Sequence, residues 1–141
     1  ETDRFAAGVA EHGSYDLRSA FGTGDGHRSW ETEFGLPWES PEAYDAASSI
    51  TDVDAIETPL LLTAGANDQR CPPTQAEQLH VSLRKRDVPS KLVVYPGTNH
   101  VHHYVAAPDR ATHRLATIDE WLARFDPRRD SAEEADDVTE Y

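Results

Sequence analysis

The 141-residue chain has one cysteine, no methionine and only two lysines, Lys85 and Lys91. A single cysteine, Cys71, excludes an internal disulfide framework and suits a reducing compartment, so a cytoplasmic location is expected. Beside Pro72-Pro73 and without an activating partner evident in the sequence, Cys71 reads as a small semi-buried side chain rather than a nucleophile. Long apolar runs are also missing. None approaches the roughly 20 residues that cross a bilayer, so no transmembrane helix is read. The opening Glu1-Thr2-Asp3-Arg4-Phe5 has neither the basic start nor the apolar stretch of a signal peptide. It has no initiating Met either, which leads to the expectation of a truncated chain. Positive charge is scarce, with 13 Lys and Arg against 26 Asp and Glu and a formal charge of −13. Phosphate neutralisation needs clustered cations, so neither nucleic acid nor an anionic membrane is an expected partner. Strong acidity with little lysine resembles proteins of salt-loving organisms, in which high salt screens self-repulsion. The alternative is an ordinary acidic protein with a charged tail.

What is present reads as alternating strands and helices. Phe5-Ala6-Ala7-Gly8-Val9-Ala10 is a short apolar run followed by the turn-prone His12-Gly13-Ser14, which suits a central strand. From Ser14 to Asp54 the chain is rich in Gly, Pro, Ser and aromatic residues (Trp30, Phe34, Trp38, Tyr44). This stretch predicts loops and short helices passing over the sheet. Thr58 to Gly65 has the continuous apolar character of a strand buried on both faces, and its proline stands where a strand tolerates one. Thr74-Gln75-Ala76-Glu77 has the form of a capping box, and Ala76, Leu79 and Leu83 follow at helical spacing. A helix over about Thr74–Asp87 is expected. Lys91-Leu92-Val93-Val94-Tyr95 predicts a further buried strand, making a right-handed strand–helix–strand unit. Ala111, Leu115, Ile118, Leu122 and Phe125 mark an amphipathic helix that Pro127 ends. The expected organisation is one domain over 1–126 and, over 127–141, an acidic disordered tail carrying Asp130, Glu133, Glu134, Asp136, Asp137 and Glu140.

Two strand-to-loop phrases carry the candidate chemistry. Leu60-Leu61-Leu62-Thr63-Ala64-Gly65-Ala66-Asn67-Asp68 and Leu92-Val93-Val94-Tyr95-Pro96-Gly97-Thr98-Asn99-His100 each run from a buried-type strand into a polar loop. In a parallel sheet the loops at the carboxyl ends of the strands converge on one crevice, so Asp68 and His100 can meet there. An imidazole takes a proton from a nucleophile efficiently when a buried carboxylate fixes its tautomer and stabilises the imidazolium. Taken singly, Asp68 also reads as an Asx-turn residue and His100 as a loop residue capping a turn. Placed after successive strands, they form an acid–base pair in the chain order of α/β-hydrolases.

With these phrases, the chain resembles the prolyl oligopeptidase family of serine peptidases, including its acylaminoacyl-peptidase and dipeptidyl-peptidase branches. The likeness runs from Thr2 to about Phe125. It rests on Thr2-Asp3-Arg4-Phe5, the Trp30 to Glu42 stretch, Thr58-Pro59-Leu60-Leu61-Leu62, Asn67-Asp68-Gln69-Arg70-Cys71-Pro72 with Gln75-Ala76-Glu77-Gln78-Leu79, and Tyr95-Pro96-Gly97-Thr98-Asn99-His100. The resemblance implies the carboxyl-terminal part of an α/β-hydrolase fold, a mostly parallel sheet flanked by helices. It implies Asp68 as triad acid, His100 as general base and a structural role for Arg70. With the acidic composition, the expected source is a haloarchaeon. The family's Gly-x-Ser-x-Gly elbow does not occur in these residues. The nearest text, Gly13-Ser14-Tyr15, lacks the second glycine and follows the wrong strand. By the family's order the nucleophile and its oxyanion-hole amides lie upstream, so the chain alone is expected to be inactive. The resemblance also implies short peptides or other acyl compounds as substrates, an upstream β-propeller domain, and neither cofactor nor metal.

Three other readings stay open. His100-Val101-His102-His103 with Asp109 concentrates ligand types, which suits a metal hydrolase, although His102 and His103 read more simply as exposed loop residues. A nucleophile-free hydrolase fragment can serve as a binding scaffold, with Trp30, Phe34, Trp38 and Tyr44 as its surface. Esterases share the fold and both loops, so peptide specificity comes from the resemblance alone.

Overall fold

The computed structural model describes residues 4–101 and 107–128, so His102, His103 and all but the first two residues of the acidic tail lie outside the described residues. Three strands, β1 (Gly8–Glu11), β2 (Leu60–Gly65) and β3 (Ser90–Tyr95), form a parallel sheet in the order β1-β2-β3. Between β1 and β2 the chain makes α1 (Leu17–Thr23), α2 (His27–Phe34), α3 (Pro41–Ala46) and a 3-10 segment (Ser49–Ala55). Helix α4 (Pro73–Lys85) connects β2 to β3, and α5 (Pro108–Arg124) follows the histidine loop. The expected parallel sheet, the helix joining its last two strands and the helical excursion are found, but among the described residues β1 lies at an edge of the sheet rather than at its centre, and β3, with a neighbour on one side only, is partly rather than fully buried.

Alternation along β2 assigns its side chains to two faces. Leu62 and Ala64 pack against Ala76, Leu79 and Leu83 of α4, with Tyr15 and Val88 closing the cluster. Leu61, Leu62 and Leu83 are fully buried, each contributing about 1.5–3 kcal/mol of apolar transfer free energy. On the other face, aligned with Leu61 and Thr63, α5 is fastened by polar contacts. Trp121 Nε1 donates to the Gly8 carbonyl at 3.1 Å, the Arg114 guanidinium pairs with Glu11, and the Tyr95 hydroxyl meets His113 Nδ1 at 3.2 Å.

The excursion is tied to this framework through buried polar side chains. Gln75 Oε1 accepts from the Tyr15 and Asp16 amides at 3.0 and 2.9 Å, and Gln75 Nε2 donates to Ser19 Oγ at 2.8 Å. Ser48 Oγ accepts from the Leu17 amide at 2.9 Å and donates to the Tyr44 carbonyl at 2.6 Å. Tyr44 is wholly buried, and Phe21 and Phe34 contact its ring edge-to-face.

Four local expectations are corrected. The first strand begins at Gly8 rather than Phe5, because pairing starts only where β2 supplies a neighbour; the Gly8 amide donates to Pro59 and Phe5 stays exposed. The capping box does not form. Pro72 and Pro73, with φ already suited to a helix start, begin α4 one residue earlier, and no side chain caps it. The stripe on α5 is turned: Thr117 and Trp121 are buried while Leu115 and Leu122 are exposed. The Arg114 and Trp121 contacts with β1 set that rotation, which outweighs the count of apolar residues on the neighbouring face. The helix also ends at Arg124, before Pro127.

Candidate active site

The two loops at the carboxyl ends of β2 and β3 interlock through their backbones. The Ala66 amide donates to the Tyr95 carbonyl at 2.9 Å and the Asn67 amide to the Thr98 carbonyl at 2.8 Å. Thr98 Oγ1 donates back to Tyr95 O at 2.7 Å, and Gly97 turns the chain with φ +69°, a value that favours glycine. Gly65 makes the close approach possible: a Cβ there would lie 2.7 Å from the carbonyl oxygens of both Thr98 and Asn99.

Asp68 performs two tasks with its two oxygens. Oδ1 accepts from the Arg70 and Cys71 amides at 2.8 and 2.9 Å, the Asx-type turn that its loop position suggested. Oδ2 faces His100 Nδ1 at 3.0 Å, with the Asp68 side chain fully buried and that of His100 35% exposed. A carboxylate only accepts, so Nδ1 carries the proton and Nε2 is left to accept another. The turn and the acid–base pair are therefore compatible, since each uses a different oxygen.

His100 also reaches past β2. Its ring lies edge-to-face with that of His12, which directly follows β1, at 4.9 Å between centroids and 67° between planes. The sequence marked His12 only as part of a turn, and Gly65 only as a strand end; neither long-range contact leaves a local signature. A cleft of about 470 Å³ opens beside His100, lined also by Asn67, Asn99, Arg70 and Asp25. The Arg70 guanidinium pairs with Asp25 on its rim, holding the Asp25 carboxyl below its usual range. Cys71 accepts a hydrogen bond from Ser14 Oγ at 3.2 Å, and burial raises the thiol pKa, the reverse of what an activated nucleophile needs.

A parallel sheet flanked by helices, with an acid and a histidine at the carboxyl ends of neighbouring strands, defines an α/β-hydrolase fold. The chain belongs to the prolyl oligopeptidase family, whose sequence profile matches residues 1–126. It is 32% identical over 125 residues to the peptidase YuxL of Bacillus subtilis (strain 168), covering 86% of this chain and 19% of that one. It is 29% identical over 106 residues to the human acylamino-acid-releasing enzyme, covering 70% of this chain and 14% of the other. Among solved structures, Pyrococcus horikoshii acylaminoacyl peptidase shares the fold with a TM-score of 0.82 at 22% identity, over 89% of this chain and 20% of that one. A Mycobacterium tuberculosis puromycin-hydrolyzing peptidase superposes with a TM-score of 0.76 at 25% identity, over 89% and 19% of the two chains. The chain thus spans about a fifth or less of the length of these relatives.

Proposed function

We propose that this chain carries the acid and the general base of a serine peptidase, Asp68 and His100, and works with a nucleophile supplied by a preceding segment of a longer protein. One observation carries the reading. His100 leaves from β3, is held by Asp68 after β2, and touches His12 after β1. The imidazole is thereby carried across the sheet toward β1, which among the described residues has no strand on its outer side. A strand added there would stand about 5 Å beyond β1, and a loop at its carboxyl end would open next to the His100 ring.

In the proposed reaction, Nε2 of His100 takes the proton of the serine hydroxyl as its oxygen attacks a peptide or ester carbonyl. The imidazolium, steadied by Asp68, then protonates the leaving amine or alcohol. Water, deprotonated by the same nitrogen, releases the acyl group and restores the enzyme. Short or acyl-blocked peptides are the proposed substrates, in keeping with the family and with the names of the relatives. A β-propeller upstream is proposed to limit access, in a halophilic cytoplasmic protein.

Fluorophosphonate labelling tests this reading. The protein encoded by the complete reading frame is expected to label, the 141-residue chain alone is not, and His100→Ala is expected to abolish labelling of the complete protein. Labelling of the chain alone would reveal a nucleophile among its own residues, and undiminished labelling of the His100→Ala protein would remove His100 from the role of base.

A further inference from the structure

We infer that His12 is a positioning residue for His100, its ring forming the edge-on wall that keeps the His100 imidazole seated on Asp68. This inference rests on the acid–base reading of that pair.

The first support is the backbone of His12. Its φ of +42° lies in the left-handed region, which a side chain with a Cβ rarely adopts and which recurs at sites where function requires the strain. The His12 amide nevertheless donates to the Thr63 carbonyl at 2.7 Å, extending the β1–β2 ladder by one residue. The position is therefore fixed by the sheet, and the chain turns away sharply just after it. A glycine would meet that turn at lower steric cost, and one is available next door. Gly13, however, is needed where it stands, since a Cβ there would lie 2.7 Å from the Tyr15 phenol. The strained position is occupied by an imidazole, and that imidazole is in contact with His100.

The second support is what His100 lacks without it. The ring projects from a loop, and its one side-chain hydrogen bond among the described residues, Nδ1 to Asp68 Oδ2 at 3.0 Å, fixes a point rather than a plane. A ring held at one point can still swing about it, taking Nε2 away from the place where a hydroxyl must be met. The His12 ring, 4.9 Å away and inclined at 67°, supplies a second contact from the β1 side, within the geometry of favourable edge-to-face pairs. Asp68 and His12 come from different strands, so together they define the orientation of the ring as neither does alone.

The test follows the Nδ1 proton of His100 by nitrogen-edited NMR in the 141-residue chain, comparing the native residue with His12→Gly and His12→Phe. Glycine accepts the left-handed turn, so that variant removes the ring without straining the backbone; phenylalanine keeps an aromatic edge. Solvent exchange of the Nδ1 proton is expected to quicken about two- to tenfold in His12→Gly, as loss of one such ring contact implies, and to return close to the native rate in His12→Phe. In the complete protein, the same glycine substitution is expected to lower kcat with KM little changed. An unchanged exchange rate in His12→Gly, loss of the fold in that variant, or failure of phenylalanine to restore the rate would each overturn the inference. If native His100 carries no proton on Nδ1, the acid–base reading itself fails, an outcome distinct from any result on His12.

Discussion

Replacing Asp68 by Asn changes one atom and one charge, and the surroundings of Asp68 dictate the outcome. The amide supplies one accepting oxygen and one donating NH2 group. Turning the NH2 toward the Arg70 and Cys71 amides would set donors against two donors now 2.8 and 2.9 Å from Oδ1. The oxygen must therefore stay on that side, leaving the NH2 to face His100. There it can donate only to an unprotonated Nδ1, which moves the ring proton to Nε2. Hydrogen bonds to a charged acceptor contribute about 1.5–3 kcal/mol against about 0.5–1.5 for neutral ones, so the two loop bonds weaken by about 2 kcal/mol together. Burying a neutral amide is less costly than burying a carboxylate, which offsets part of this. The net expected loss is about 1–2 kcal/mol in urea denaturation, with the fold retained. In the proposed mechanism the nitrogen that accepts the serine proton would then already carry one, so kcat of the longer protein proposed above is expected to fall on the order of 10⁴-fold. Nitrogen shifts of His100 report the tautomer directly. A proton remaining on Nδ1 in the Asn variant would refute the reasoning, because it would mean that the two loop amides do not fix the orientation of residue 68.

Gly65→Ala is expected to cost about 1–3 kcal/mol in urea denaturation and to disturb His100, because its Cβ meets two backbone carbonyls that cannot move without parting the loops. At position 12 the usual ranking of residues should invert, with His12→Gly more stable than His12→Ala by about 1 kcal/mol, since only glycine takes a left-handed φ without strain. The hydrogen-bonded Arg114 guanidinium holds the Glu11 carboxyl below its ordinary range. Because the folded value is depressed, the ion pair stabilises above the unfolded carboxylate pKa and that stability is lost as pH falls through the folded value. Glu11→Gln should flatten this acid limb of the stability curve and cost about 1–2 kcal/mol at neutral pH, intermediate between surface and buried pairs. On α5, Leu115→Asn should change stability by no more than about 0.5 kcal/mol, whereas Leu62→Ala should cost about 2–5 kcal/mol.

The amino-acid pattern by itself determined the elements and the principal pair. The continuous apolar run at Leu60–Gly65 is a local record of burial on both faces, the run at Leu92–Tyr95 marks a strand that the fold leaves only partly buried, and helical spacing in α4 is a local record of one buried face. Asp68 and His100 were legible because parallel topology turns strand-end position into spatial proximity. Tertiary structure decided what depends on partners distant in the chain. It started β1 at Gly8, where β2 offers hydrogen bonds, and turned α5 so that Arg114 and Trp121 meet β1 while Leu115 and Leu122 face outward. It also brought His12 against His100 and the histidine loop against Gly65, pairs that lie far apart in the chain. Periodicity and turn chemistry report a residue's own backbone and degree of burial. Which side chain stands opposite is set by register and loop closure, and these exist only once the sheet has formed.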